Sequence, residues 1–269
     1  MISFIRHTGI LAVTVLALLI TTGCSDELST PQEYFDRGNS HFDDAKFEKA
    51  IADYSQAIRI DPEYATAYNN RGLSYHQLGQ DEKAIDDYSQ AIRIDPEYAV
   101  AYYNRGVAYR QLNQYEKEIQ DSTEAIRIDP DYHKAYFNRG VSYALLGQYE
   151  KAIKDYNEAI RIDSEDAGSY NARGLSYHEL RQYEKAIADY SQAIRIDPEY
   201  ATAYNNRGLS YHQLGIYEKE IQDYTEAIRI DPEYADAYYN RALSYADLGQ
   251  HEKAHADFKR ACELDSKHC

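Results

Sequence analysis

Apolar and polar positions along this chain repeat on two scales. On the short scale, small and apolar residues return every three or four places, the spacing of one face of a helix. On the long scale the whole pattern returns. Glu48–Gly79, EKAIADYSQAIRIDPEYATAYNNRGLSYHQLG, recurs letter for letter at Glu184–Gly215, an offset of 136 residues, or four times 34. With position 1 placed at Pro31, residues 31–268 divide into seven units: 31–64, 65–98, 99–132, 133–166, 167–200, 201–234 and 235–268. Each unit predicts two helices, A and B. Gly79, Gly147, Gly215 and Gly249, with Asn113, supply the turn between them. Helix B ends at Ile-Asp-Pro, since proline cannot continue a helix but can open the next one.

The columns of this alignment carry physical expectations. Tyr34, Tyr68, Tyr102, Tyr136, Tyr170, Tyr204 and Tyr238 fill position 4, where an aromatic ring packs helix A against its neighbours. Position 8 is Gly38, Gly72, Gly106, Gly140, Gly174 and Gly208, then Ala242. Glycine costs a helix about 1 kcal/mol relative to alanine, so its return mid-helix predicts a helix crossing too close for a larger side chain. Position 7 is Arg and position 23 is Asp in every unit, from Arg37 and Asp53 to Arg241 and Asp257. A planar guanidinium binds a carboxylate through two bonds. The two columns therefore predict a ladder of ion pairs, each Arg meeting an Asp of its own or the adjacent hairpin; a run of basic ligand contacts is the alternative. Glu118 and Glu220 replace the small residue of position 20. A carboxylate there is expected to snorkel or to find a cation, and to loosen its hairpin. Ser164 replaces proline in the fourth unit, which makes Ser164–Ser169 the candidate for a bend.

The unit reads Y-x2-R-G-x2-Y, A-x3-Y, A, P. This resembles the tetratricopeptide repeat, W-x2-L-G-x2-Y, then A-x3-F, then P, with the same 34-residue period. The resemblance covers about nine-tenths of the chain. It implies an all-α right-handed solenoid of seven helix-turn-helix repeats, with helix A residues lining a concave groove that holds an extended peptide or a protein partner. Positions 2, 5, 9 and 12 fall on one stripe of helix A. That stripe includes Tyr103 and Arg110 in the third unit, Lys134 and Phe137 in the fourth, and Tyr239 in the seventh. Position 6 beside it carries Asn70, Asn104, Asn138, Asn206 and Asn240. Such an Asn ladder offers donors and acceptors to a peptide backbone; the same side chains can instead cap or pack between repeats. The subclass that grips chaperone C-termini has basic residues where Phe35, Val100 and Asn104 stand here, although Asn39 and Asn70 match its two Asn positions.

Residues 1–23 differ from all that follows. Arg6 is the one charge before Asp26, and Gly9–Ile20 is a continuous apolar run of 12. A basic start, a short apolar run and small residues after it make a bacterial export signal; the run is short for a span, which needs about 20 apolar residues. Thr21-Thr22-Gly23-Cys24 resembles a lipobox, with Thr21 where leucine is usual. It implies cleavage before Cys24 and lipidation of Cys24, which anchors residues 24–30 as a short linker close to a membrane. An uncleaved anchor is the other reading. Ser25 after the Cys resembles outer-membrane sorting, which places the array in the cell envelope facing the periplasm.

Composition changes this picture in one respect. The net charge of −16 argues against nucleic acid and anionic lipid surfaces as partners, since both need clustered Lys and Arg. Two further signals bear on chemistry. His251-Glu252-Lys253-Ala254-His255 fits H-E-x-x-H, a helix-borne zinc motif. The segment aligns with the YEKAI of other units, so only His251 and His255 are new, and neither metal nor cofactor is expected. Cys262 falls on an apolar position of the last helix, either as a packed thiol or bonded to Cys269. The chain reads as a non-catalytic interaction scaffold, with a passive or self-assembling array as the alternative and a zinc hydrolase at His251, Glu252 and His255 a distant third.

Overall fold

A computed structural model describes residues 30–269. The segment expected to be an export signal, Cys24 and most of the expected linker lie outside the described residues. In chain order the helices are α1 (Pro31–Asp43), α2 (Phe47–Ile60), α3 (Ala65–Gln77), α4 (Asp81–Ile94), α5 (Ala99–Gln111), α6 (Tyr115–Ile128), α7 (His133–Leu145), α8 (Tyr149–Ile162), α9 (Ala167–Glu179), α10 (Tyr183–Ile196), α11 (Ala201–Gln213), α12 (Tyr217–Ile230), α13 (Ala235–Asp247) and α14 (His251–Leu264). They pair as seven antiparallel hairpins, each packed on the next, and a short 3-10 turn at Ser266–His268 closes the array.

Both kinds of turn are set by local chemistry. Between A and B, position 15 is left-handed in every unit: Ala45, Gly79, Asn113, Gly147, Arg181, Gly215 and Gly249 have φ of 57–71°. The amide of Gln80 donates back to the Tyr75 carbonyl and that of Gly79 to the His76 carbonyl, both at 2.9 Å, which ties off the end of helix A. Between B and the next A, the Asp61 carboxylate accepts from the Glu63 amide at 3.0 Å, and Asp95, Asp129, Asp163, Asp197 and Asp231 repeat the arrangement. The fourth junction keeps it although Ser164 replaces proline. Asp166 there caps α9 through the Gly168 and Ser169 amides at 3.0 and 3.2 Å, and reaches back to His133 at 3.0 Å. The segment expected to bend is fastened on both sides, and α8 packs on α9 as at the other junctions.

The glycine column has a partner that the sequence does not name. A Cβ on Gly38, Gly72, Gly140, Gly174 or Gly208 would lie 2.6–2.8 Å from Cε1 of Tyr54, Tyr88, Tyr156, Tyr190 or Tyr224. The close approach is thus between the A backbone and a buried aromatic ring of helix B. In the third unit Ser122 replaces that tyrosine, and the nearest atoms to a Cβ on Gly106 stand at 3.4 and 3.6 Å.

Of the two outcomes expected for Glu118 and Glu220, snorkelling is excluded, because both are fully buried. Glu118 turns into the space that Ser122 leaves. Its Oε1 accepts from the Ser122 hydroxyl at 2.5 Å, and the Ser142 hydroxyl is the other polar group beside it. Burial pushes the Glu118 carboxyl above its usual range, with Ser122, Ser142 and the more distant Arg110 and Arg139 opposing. Glu220 meets His212 Nδ1 at 3.3 Å. Their hairpins, α5–α6 and α11–α12, pack like the rest.

The two charged columns meet within each hairpin. Arg71 Nε and Nη2 donate to the two oxygens of Asp87 at 2.7 Å, and all seven units repeat this pairing. From the second unit on, Nη1 also donates backwards, to position 25 of the preceding helix B: Ser55, Ser89, Thr123, Asn157, Ser191 and Thr225, at 2.7–3.1 Å. The guanidinium of each Arg lies over the ring of the position-4 tyrosine, 5.4 Å away at Tyr68. One side chain thus joins three helices. Burial works against its charge, but the Asp87 bonds outweigh this and hold Arg71 above its ordinary value.

The two ends differ from the middle. Position 3 is a fully buried small residue in units two to seven, such as Ala67, and an exposed Glu33 in the first. Glu33 and Thr30 form a capping box at the start of α1. At the other end Cys262 and Cys269 are joined by a disulfide. His268 stacks on Tyr239 with centroids 4.6 Å apart and bonds to Asp236 at 2.8 Å.

Candidate functional site on the inner face

Successive A helices touch one another (α1 with α3, α3 with α5, and so on to α13), and successive B helices do not come as near. The A helices therefore line the inner side of the curve, and their position 2, 5, 9 and 12 side chains form its floor. Large aliphatic groups stand open to solvent there: Val100, Leu175 and Leu243 are 41, 45 and 39% exposed. Burying one such side chain is worth about 1.5–3 kcal/mol, so this floor offers a partner something to gain.

Each side chain singled out from the sequence has a definite place on this floor. Asn70 donates to Asn39 Oδ1 at 3.0 Å, Asn104 to Asn69 at 2.9 Å, Asn206 to Asn171 at 3.1 Å and Asn240 to Asn205 at 2.9 Å. Each bond crosses from one A helix to the one before it, so these amides hold neighbouring repeats in register. Asn138 is buried and hydrogen-bonds with Tyr103. Tyr103 packs on Tyr132 with centroids 5.1 Å apart, Phe137 on Tyr156 at 5.8 Å, and Tyr239 between Phe258 and His268. Lys134 is exposed, and Arg110 is half-buried.

The histidines of position 12 find separate partners: His76 the Asp81 carboxylate at 2.5 Å, His178 the Ser210 hydroxyl at 2.8 Å, and His212 the buried Glu220. Burial lowers the His178 imidazole from its ordinary value. His251, Glu252 and His255 are exposed on the first turns of α14. Among the described residues no three His, Cys, Asp or Glu side chains converge as metal ligands.

Two clefts open between neighbouring A helices at equivalent places, and their chemistry differs. The first, of about 320 Å³, lies between the first and second units and is lined by Asn39, Phe42, Asp43, Tyr54, Asn70 and Leu73. The second, of about 290 Å³, lies between the fourth and fifth and is mostly apolar; Val141, Ala144, Leu145, Tyr156, Ala172 and Leu175 contribute to its walls. Ala144 stands where the first unit has Phe42, and Ala172 where the second has Asn70. These two replacements in adjacent repeats make the second cleft the more apolar of the two, although Asn171, Ser176 and Glu179 also line it. Leu145 and Ala172 lie outside the position 2, 5, 9, 12 stripe; the signal for them is the coincidence of small residues in two columns of successive repeats.

Comparison with known proteins places this architecture. Profiles described as TPR repeat match residues 38–79, 72–112, 106–147, 176–215 and 211–249, and those described as tetratricopeptide repeat match 133–166, 235–268 and 155–188. No curated protein matches the chain. Among solved structures, a tetratricopeptide repeat protein from Parabacteroides merdae is 19% identical with a TM-score of 0.69, over 87% of this chain and 93% of its own. MamA is 26% identical with a TM-score of 0.56, over 60% of this chain and 95% of its own. YrrB, described as a TPR protein with an unusual peptide-binding site, is 23% identical with a TM-score of 0.59, over 68% of this chain and 95% of its own. With family matches running from residue 38 to 268 and seven packed hairpins, this chain belongs to the tetratricopeptide repeat family and is an interaction scaffold of that type.

Proposed function

We propose that the array is a non-catalytic scaffold of the bacterial cell envelope that binds an extended peptide, or an extended part of a protein, along its inner face. The observation that carries this reading is the set of solvent-open aliphatic side chains on that face, Val100, Leu175 and Leu243, which stand on the A helices of the third, fifth and seventh units. The inter-helix Asn bonds support it by holding the floor rigid, so that little order is left to impose on binding. Val100→Glu and Leu175→Glu should each cut partner capture from crosslinked membranes several-fold, and Lys154→Glu on the exposed side of α8 should leave it unchanged. Equal capture by all three variants would refute the assignment to the inner face.

The anchoring half of the proposal rests on Cys24 and the segment before it. Acyl chains on Cys24, each contributing about 0.8 kcal/mol per buried CH2, would hold the array at the membrane, in the outer membrane facing the periplasm. Metabolic labelling with an alkyne fatty acid tests this: label should appear on the wild type and vanish in Cys24→Ser. Label that survives the substitution would remove the anchor from the proposal.

A further inference from the structure

The edge of the array formed by the A–B turns carries a departure from the template that the inner face does not explain. Position 16, the last residue before helix B, is Gln in the second, third, fourth, fifth and seventh units and Lys in the first. In those five units the Gln side chain accepts from the Lys three residues on, as Gln80 does from Lys83 and Gln250 from Lys253, both at 2.8 Å. In the sixth unit the residue is Ile216, the first difference after the block that repeats Glu48–Gly79 ends at Gly215. Ile216 is exposed, and so are Tyr217 and Leu248, whereas the equivalent Tyr149 and Leu180 two units earlier are half-buried. Of the eight large apolar side chains that stand exposed among the described residues, these three line one open cleft of about 730 Å³ between the sixth and seventh units. Ile221 adds to its wall, and Glu218 of α12 and Lys253 of α14 also line it.

We infer that this edge is a homodimer interface, on which a second copy of the chain seats its own Ile216, Tyr217 and Leu248 about a twofold axis. A cluster of exposed apolar side chains marks an interaction surface, and the charges beside it select the occupant. Among the described residues neither Glu218 nor Lys253 enters an ion pair; Lys253 is held by the neutral Gln250 and lies over the Tyr245 ring. In an isologous contact one patch serves both partners, so it must be complementary to itself. An apolar centre with one charge of each sign, on successive B helices, meets that condition. A twofold axis through the cleft sets each Glu218 against the Lys253 of the second copy, so the pair forms twice. An acidic or a basic partner would match one of these charges and face the other with like charge. A twofold contact closes at two copies and gives a discrete dimer, not an open array. It uses none of the position 2, 5, 9 and 12 side chains, so both inner faces stay open and the dimer presents two grooves. The inference does not depend on what those grooves bind.

The test measures the protein mass of the full chain, purified in a mild detergent, by sedimentation over concentrations spanning the micromolar range. The wild type should pass from monomer to dimer within that range. Ile216→Gln should weaken the dimer about 100-fold, since one buried aliphatic side chain is worth about ten-fold or more and one is lost from each copy. This variant should fold normally, because five other units carry Gln at the same position. Glu218→Lys and Lys253→Glu should each weaken association by about ten-fold or more, and the double variant should restore it to within about three-fold of the wild type. Glu150→Lys, the same change in the fourth unit, should leave association unchanged. A wild type that stays monomeric, or a dimer that Ile216→Gln leaves as tight as before, would overturn the interface. A double variant no tighter than the single charge reversals would overturn the twofold pairing.

Discussion

Substituting two glycines of one column should move stability in opposite directions. At Gly140 an added Cβ would stand 2.7 Å from Cε1 and 3.0 Å from Cδ1 of Tyr156. That ring is 2% exposed and is held between helices, so it has no free direction in which to retreat. At Gly106 the nearest neighbours of the new Cβ are Asp121 Cβ at 3.4 Å and Glu118 Cγ at 3.6 Å, which are ordinary contacts. Both sites lie mid-helix in interior repeats, so the gain from replacing glycine by alanine, about 1 kcal/mol, is common to both. It cancels in the comparison. What remains is the overpacking at Gly140, about 1–3 kcal/mol. Gly106→Ala should therefore be about 0.5–1 kcal/mol more stable than the wild type, and Gly140→Ala less stable than Gly106→Ala by about 1–3 kcal/mol. Guanidinium unfolding followed by far-UV circular dichroism measures both, compared at one denaturant concentration because repeat arrays need not unfold in one step. Equal shifts in the two variants would refute the assignment of the glycine column to the tyrosine ring.

Other expectations follow from the same geometry. Arg139→Leu strands the buried Asp155 and should cost about 3–5 kcal/mol, with most of it recovered in Arg139→Leu/Asp155→Leu; Arg37→Leu should cost less, since the Arg37 side chain is 42% exposed against 16% for Arg139. Glu118 is held above its ordinary value, so over the window from about pH 4.5 up to its raised value the folded state keeps a proton that the unfolded state has lost. Stability due to this group should fall as pH rises through that window. The advantage of Glu118→Gln over the wild type, measured by denaturant titration, should grow from about pH 4 to about pH 7, and a constant difference would contradict the burial. Arg181 sits at φ 58° in a turn where four other units use glycine. Arg181→Gly should stabilise by about 0.5–1 kcal/mol in the same assay, whereas Gly147→Arg should destabilise.

Much of this fold is legible in the sequence because repetition turns single residues into columns. Seven arginines at position 7 and seven aspartates at position 23 announce a pairing before any coordinate is known. The columns do not say what a side chain meets across a helix. The glycine column predicted a close helix approach, but its partner is a tyrosine ring one helix away. The Arg side chain's second bond, to position 25 of the hairpin before, has no signature because serine, threonine and asparagine serve there alike. Glu118 and Glu220 defied their polar character because each found a local partner, Ser122 or His212, that repays part of its burial. The left-handed turns at Ala45 and Arg181 were invisible to a reading that looked for glycine. On the inner face, the sequence places Tyr103, Phe137, Tyr239 and the Asn ladder, but the cleft between the fourth and fifth units is a space bounded by several columns of two repeats at once, and no single column marks it.

The Arg clasp reaches only its own hairpin and the one before it, and this has a consequence for how such a chain can change length. Residues 48–79 and 184–215 are identical, so removing residues 80–215 would join Gly79 to Ile216 in a sequence context the chain already contains. The surviving α3 would present to α12 the same side chains that α11 presents now, with Arg71 in the place of Arg207 and Asp223 awaiting it. No seam in the shortened array would be new. A recombination event that shortened or lengthened this protein by four repeats would produce a folded product at the first attempt, with a groove of different span for selection to act on.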